Sequence, residues 1–321
     1  MLPFATLLLR SESAASSQIE NLTASARAVA LADLGDHKRR PNAQIIVANG
    51  KAMMAAIELA DQIDASTVIE MHRILLEESQ PGIVGHWRTE QNWIKGSDFG
   101  PHEALFVPPH PDRVPAAMED LFRFIERDNI PVLAHAALAH AQFETIHPFL
   151  DGNGRTGRAL IHAVFVNKQL VQNVTIPVSA GVLTDVDSYF AALTSFRHGD
   201  PNAIIAVLAN ATFAAISNAT RLVVNLRYQR RTWADSITAR ADSAVWRTID
   251  LVLRYPVIDA KLVETELGVT LKSALDAIDR LVVEGVLTQI GSAKRNRKWQ
   301  ALAVLNELDA FAERAGRRAS A

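Results

Sequence analysis

The stretch His147-Pro-Phe-Leu-Asp151-Gly-Asn-Gly154-Arg-Thr-Gly-Arg158 decides the reading of this chain. It concentrates a histidine, a carboxylate, glycines, an asparagine and two arginines, the parts needed to hold a metal-bound polyphosphate beside a base. Taken literally, Gly152-Asn-Gly154-Arg-Thr-Gly157 also satisfies the dinucleotide fingerprint G-x-G-x-x-G. That fingerprint must follow a buried strand, open a helix inside a βαβ unit and precede an acidic residue. Here Leu138 to Ile146 read as helix, and no strand alternates with helix downstream. A dinucleotide site is therefore excluded, and so is a P-loop, because G-x-x-x-x-G-K-[ST] occurs nowhere in the chain.

The local chemistry still points to phosphate. Glycines on both sides of Asn153 permit a backbone that turns successive N–H groups inward, a nest for anions. The residues after it begin a helix, so the nest sits at a positive helix N-terminus. Arg155 and Arg158, three apart, share a face and reach further phosphate oxygens. Asp151 supplies one hard oxygen ligand of the kind Mg²⁺ takes together with phosphates. His147 is placed to act as a base near neutral pH.

Outward from this loop the chain reads as helix. Thr67 and Glu70 suggest a capping box before Ile69, Leu75 and Leu76. Val114, Met118, Leu121, Phe122 and Ile125 repeat at helical spacing. Pro131 to Glu144 is rich in alanine and leucine, and Pro201 to about Arg227 reads as one long apolar helix opened by proline. No segment between 110 and 240 alternates with period two, so the core is predicted to be all-α. The exception is 85–109, where Trp87, Trp93 and Ile94 on one side and Leu105, Phe106 and Val107 on the other flank turn-rich residues. This is a β-hairpin pattern with an overlong turn, and an exposed hairpin edge can take up an extended peptide.

Composition sets the bounds. A length of 321 residues allows one large domain, or a domain and a small module, and 49% hydrophobic residues suffice for a sizeable core. A net charge of −2 gives no global pull toward nucleic acid or an anionic membrane, and the absence of cysteine excludes disulfides and thiolate metal sites. The apolar opening Leu2 to Leu9 lacks a basic start, is interrupted by Pro3 and is followed by Arg10, which argues against a signal peptide. No other apolar run is read as reaching the roughly 18 residues of a membrane span. A cytoplasmic location without membrane contact is expected. His135, His140 and His162 lack H-E-x-x-H spacing and read as packing or surface residues.

The twelve-residue stretch matches the signature of Fic-domain proteins, HPF-x-[D/E]-G-N-G-R-x-x-R, at every defined position. The resemblance extends upstream through Gly85-His-Trp-Arg88, Asn92-Trp-Ile94 and Phe106-Val-Pro-Pro109, where the family carries a target-positioning flap, and spans roughly 85 to 200. It implies a mainly α, compact helical Fic-type core with a small β-hairpin flap. The implied reaction is transfer of AMP from ATP to a Ser, Thr or Tyr hydroxyl of a target protein, or of the enzyme itself. His147 would deprotonate that hydroxyl, Asp151 would hold Mg²⁺, and Gly152, Asn153 and Gly154 would cradle the phosphates. Arg155 and Arg158 would orient the outer phosphates, with Trp93, Ile94, Phe106 and Val107 in the flap. Transfer of a different nucleotide or phosphate group stays open.

Ser16-Ser-Gln-Ile-Glu20-Asn21 fits the family's inhibitory motif [S/T]-x-x-x-E-[G/N]. On the residues alone, Ser16 or Ser17 reads as a helix cap and Glu20 as a solvated first-turn carboxylate. The resemblance implies instead that Glu20 pairs with Arg158 and keeps the γ-phosphate from its productive position, or supports the reverse removal of AMP. It places this inhibitory helix at about 14–30, within an N-terminal helical region 1–80 that precedes a catalytic domain 81–235.

Residues 236–321 read as a separate module. The predicted helices are 244–254, 259–267 and one capped by Thr270 with the stripe Leu271, Leu275, Ile278 and Val282. A β-wing is predicted over 286–302. Three helices and a wing resemble winged helix-turn-helix modules. The wing is basic, with Lys294, Arg295, Arg297 and Lys298, yet Asp276, Asp279 and Glu284 make the would-be recognition helix acidic and ill-suited to the major groove. Protein contact or homodimerisation is favoured over DNA binding. The competing function class is a DNA-binding regulator with a sensory Fic domain.

Overall fold

The computed structural model describes residues 3–36, 40–94, 101–172 and 174–316. Helix α1, Pro3–Ile19, buries the apolar opening: Leu7, Leu8 and Leu9 are interior residues. The expected helix at about 14–30 is corrected. Asn21 adopts a left-handed backbone (φ 61°) just past the end of α1, and α2, Ala26–Asp33, starts afresh. Its cap is Ser25, whose hydroxyl accepts the Ala28 N–H at 3.2 Å. Ser16 and Ser17 therefore lie in the last turn of α1 rather than at a cap, and Glu20 follows that turn.

Helices α3, Pro41–Glu58, and α4, Ala65–Leu76, pack against each other. The cap of α4 is Asp64 rather than Thr67, since its carboxylate accepts the Thr67 N–H at 3.0 Å. Glu70 is engaged with Arg73 instead, at 2.6 Å. Helices α5, Val114–Glu126, α6, Val132–Ile146, and α7, Asn153–Asn167, follow, with the motif loop between the last two. The short α8, Val178–Val182, and α9, Val186–Arg197, lead to α10, Asn202–Ser236. Alanines at 136, 137, 139 and 141 in α6 are fully buried. Their small side chains let α6 approach α7 and α10 closely.

Helix α10 runs some way past the predicted end. The reading that no apolar run reaches membrane-spanning length is also corrected: an 18-residue window of α10 has mean hydropathy 1.5, long and apolar enough by composition. A third of that window (33%) is buried, including Ile204, Leu208, Ala211 and Ala215, where α10 packs on α6, α8 and α9.

The C-terminal region comprises α11, Ala244–Val252, strand β1, Val257–Asp259, and α12, Ala260–Leu267. Then come α13, Leu271–Val283, strands β2, Thr288–Ile290, and β3, Lys298–Gln300, and finally α14, Leu302–Arg314. The strands form one antiparallel sheet in the order β1-β3-β2, with Trp299 facing Ile258 on one side and Gln289 on the other. Strand β1 is too short to show alternation, so periodicity did not reveal it. Helix α14 was not foreseen either, and it returns to pack on α10, α1 and α2.

Two apolar clusters account for most of the interior. One gathers Phe143, Phe149, Phe165 and Met118 around the motif helices, and the other gathers Trp233, Ile249, Ile278, Trp299 and Phe311. Helix α1 contributes to both, through Leu9 and Ile19 to the first and Leu7, Leu8 and Ala15 to the second.

Candidate active site

The motif loop is built by local constraints that interlock. Helix α6 ends at His147, which takes a left-handed conformation (φ 50°, ψ 61°) while its N–H still bonds the Phe143 carbonyl at 2.8 Å. A non-glycine residue held there carries strain that surrounding contacts must offset. Arg88 supplies part of that offset: its Nε donates to the His147 carbonyl and its backbone N–H to the Pro148 carbonyl, both at 2.9 Å. Phe149 is fully buried, stacked on His72 at 3.7 Å with the rings parallel. Asn153 closes the loop like a clasp. Its Oδ1 accepts the Phe149 N–H and its Nδ2 donates to the Phe149 carbonyl, each at 2.8 Å. The Asn153 side chain is thus committed to the loop, and what it offers an anion is its backbone N–H.

Gly152 (φ 77°) precedes α7; its left-handed backbone favours glycine, and a Cβ there would crowd the side chains of Leu76 at 3.1 Å and Leu75 at 3.2 Å. No side chain caps α7, which leaves the first-turn N–H groups turned to the front of the site. A Cβ on Gly154 would stand 2.1 Å from Glu20 Oε1, so glycine here permits the approach of that carboxylate.

Arg158 is the hub, with its side chain 3% exposed. Its Nε donates to Ser16 Oγ at 2.9 Å, and its Nη2 donates to the Ser16 carbonyl at 2.9 Å and to Glu20 Oε1 at 2.8 Å. Burial disfavours its charge, but Glu20, Tyr189 and Glu144 outweigh that and raise its pKa above the ordinary arginine value. Arg155 is buried too, its guanidinium 3.7 Å from Asp151 Oδ2, and burial lowers its pKa. Asp151 is half-exposed; its Oδ2 accepts from Gln80 Nε2 at 2.7 Å and its Oδ1 from the Gly152 N–H at 2.6 Å. Burial pushes His147 down to about 4, so its imidazole is neutral at pH 7. Behind it lies Glu144, whose Oε2 is 3.9 Å from His147 Nδ1 and which burial raises to about 7.

The structure therefore brings His147, Asp151, Gly152, Asn153, Gly154, Arg155 and Arg158 together with Ser16 and Glu20. Asn21 provides the turn beside them. The flap is slighter than predicted: among the described residues it contains one antiparallel bridge, Ile94 to Phe106. The bridge is closed by Ile94 N–H to Phe106 O at 2.9 Å and Leu105 N–H to Ile94 O at 3.0 Å. Trp93 is half-buried and Val107 exposed beside it, while residues 95–100 of the predicted turn lie outside the described residues. The three histidines considered for a metal have separate partners: Phe124 O for His135, Tyr189 OH for His140 and Glu12 Oε1 for His162.

Sequence reasoning missed His72, Gln80, Glu144, Tyr189 and Arg197. The first two reach Asp151 from 79 and 71 residues upstream, His72 through Nε2 to the Asp151 carbonyl at 3.0 Å. Nothing local in the sequence marks them.

A metal ion held by protein alone would need several ligands, and no group of three or more His, Cys, Asp or Glu with that arrangement exists among the described residues. Asp151 by contrast offers one accessible carboxylate beside an anion-binding helix end. That donor set suits Mg²⁺, which takes one or two carboxylates and completes its octahedron with phosphates and water.

This arrangement can hold a polyphosphate at a helix N-terminus beside a neutral imidazole. Residues 62–165 match the Fic/DOC family model. That segment is a Fic domain. The chain is 28% identical over 159 residues to "Protein adenylyltransferase fic-1" of Caenorhabditis elegans, covering 49% of this chain and 28% of that protein. It is 29% identical over 166 residues to "Protein adenylyltransferase Fic" of Nematostella vectensis, covering 49% of this chain and 34% of that protein. The chain thus spans about a third or less of the length of these relatives. A Fic family protein from Desulfovibrio desulfuricans superposes with TM-score 0.56 at 19% identity, covering 92% of this chain and 87% of that one. The solved fragment of C. elegans Fic-1 gives TM-score 0.51 at 23% identity, over 66% of this chain and 62% of that one. Both likenesses concern the fold.

Proposed function

We propose that this chain is a protein adenylyltransferase that moves AMP from ATP to a Ser, Thr or Tyr hydroxyl, and that Glu20 holds it in check. One observation carries the reading: Arg158, the last residue of the motif, is bonded to both Ser16 and Glu20 at the front of the α7 N-terminus. The adenylyltransferase names of the relatives support the reaction class.

In this mechanism the α7 N-terminus and the backbone at 152–154 bind the phosphates. Arg155, 3.7 Å from Asp151, orients their outer oxygens. Neutral His147 takes the proton of the acceptor hydroxyl as it attacks the α-phosphate, and pyrophosphate leaves. Asp151 would hold Mg²⁺, which when bound supplies charge neutralisation across the phosphates. Rate enhancement comes from positioning and electrostatics. With Glu20 on Arg158 the guanidinium is unavailable to the γ-phosphate. An ion pair of this kind carries roughly 4 kcal/mol at about 4 Å in a dielectric of about 20, before desolvation, and the half-exposed Glu20 reduces that. The same carboxylate could position water for removal of AMP.

For the C-terminal region we propose a winged-helix module that contacts protein rather than DNA. Two of the four basic wing residues face carboxylates: Lys298 Nζ is 2.8 Å from Asp36 and Arg297 is 3.9 Å from Asp279.

The test is incorporation of labelled AMP. Glu20→Gly should raise self-labelling about tenfold or more, and adding His147→Ala should remove it, since general-base loss typically costs 10²–10⁴-fold. Unchanged labelling in Glu20→Gly would sink the restraint, and labelling that survives His147→Ala would sink the mechanism.

A further inference from the structure

We infer that Arg197 is a positioning residue that fastens the flap to the floor of the active site. It lies outside the segment matched by the family model and outside the motif, at the C-terminal end of α9. The flap needs such a support. Its base is tied by Arg88, by Gln91 Nε2 to the Pro108 carbonyl at 3.0 Å and by Asn92 Nδ2 to the Phe149 carbonyl at 2.9 Å. Farther out, the Ile94–Phe106 bridge is a single pair among the described residues, and an isolated two-stranded ribbon is marginal in water. The Arg197 guanidinium sits 4.0 Å from the centroid of the Phe106 ring, within cation–π range, while the adjacent Leu105 is 72% exposed.

Helix α9, which ends at Arg197, packs on α6, the helix that carries Glu144. The Arg197 Nε is buried without a hydrogen-bond partner among the described residues, and burial lowers its pKa, an effect that nearby Glu144 partly offsets. Glu144 in turn stands behind His147, with Oε2 3.9 Å from Nδ1, and Tyr189 is hydrogen-bonded to His140 at 2.8 Å. Arg197 thus joins the flap, through Phe106, to a helix packed on the one that carries Glu144 and ends at His147. A target segment seated on the flap is held in register with the base through one half-buried cation. The target-binding part of this inference rests on the adenylyl-transfer reading; the flap-fastening part does not.

The experiment separates the two. Hydrogen exchange at the Ile94 and Leu105 amides reports the bridge directly, with α6 amides as a control for global folding. In the full chain, Arg197→Met and Phe106→Leu should each speed exchange at both amides about three- to tenfold. The double variant should be no faster than either single variant, as expected for partners in one contact. Arg197→Lys, which keeps a cation over the ring, should restore most of the protection. In the Glu20→Gly background, Arg197→Met should raise KM for an acceptor protein several-fold with kcat nearly unchanged. Exchange unaltered in both single variants, or additive in the double, would overturn the assignment. If no form transfers AMP, the adenylyl-transfer reading fails while the exchange data still decide the role of Arg197. Phe106→Leu lies on the flap, so it tests the same contact without disturbing the core should Arg197→Met fold poorly.

Discussion

The motif loop and the flap are tied together through Arg88 and Asn92, yet they are built in opposite ways. The loop at 147–153 is held by the two hydrogen bonds between Asn153 and Phe149, by Arg88 on the His147 carbonyl and by the His72 stack, all deeply packed. Among the described residues the flap has one bridge, with Leu105 and Val107 exposed. Phosphate chemistry needs donors fixed before the substrate arrives, because their ordering then costs nothing at the moment of reaction. A partner's backbone needs an edge that adjusts to it, and local stability is low where buried contacts are few.

The largest expected effect belongs to the loop side. Arg158→Met should destabilise the chain by about 3–5 kcal/mol, because it strips a buried cation from its partners and leaves the Ser16 carbonyl without its donor. Urea denaturation measures this, and a loss below about 1 kcal/mol would mean the loop is less constrained than its contacts imply.

Glu144 gives a pH-resolved version. Burial raises its folded pKa to about 7 from an ordinary 4.5. The acid form is the one tolerated inside, so its contribution is fully present below about pH 4.5 and is lost as pH rises through about 7. Glu144→Gln should remove that loss and gain up to about 3 kcal/mol on the parent between pH 5 and pH 8. Parallel stability profiles for the two proteins would contradict a buried, protonated Glu144.

Asn153→Ala should cost about 1–3 kcal/mol, the penalty of a buried donor left unmade. It orphans the Phe149 N–H, whereas the Phe149 carbonyl keeps Asn92 as a donor. The smallest effect is on the flap, where Leu105→Ser should change stability by less than about 0.5 kcal/mol. A flap substitution that cost as much as Asn153→Ala would erase the contrast between the two regions.

Much of this was legible beforehand. The amphipathic spacing of Val114, Met118, Leu121 and Ile125 is the buried face of α5, and Thr270 caps α13 as read. Legibility failed where a signal was short or distant. The cap of α4 was misplaced by one turn, since Asp64 and Thr67 are both good caps and the backbone decided between them. The start of α1 lies in a short apolar run interrupted by Pro3, which gives no clear helical period, and its end depended on the left-handed Asn21. Glu144, Tyr189 and Arg197 carry no local pattern at all.

By itself the sequence determined the loop: its glycines, its histidine, its arginines and the helix that follows are consecutive, so local geometry suffices to make a phosphate nest. Only the tertiary structure decided what Arg158 does with its charge. Its bond to Glu20 spans 138 positions and exists because α1 is packed across the front of α7. Periodicity reports which face of a helix is buried, but not against which helix, and the restraint on this site lies in that pairing.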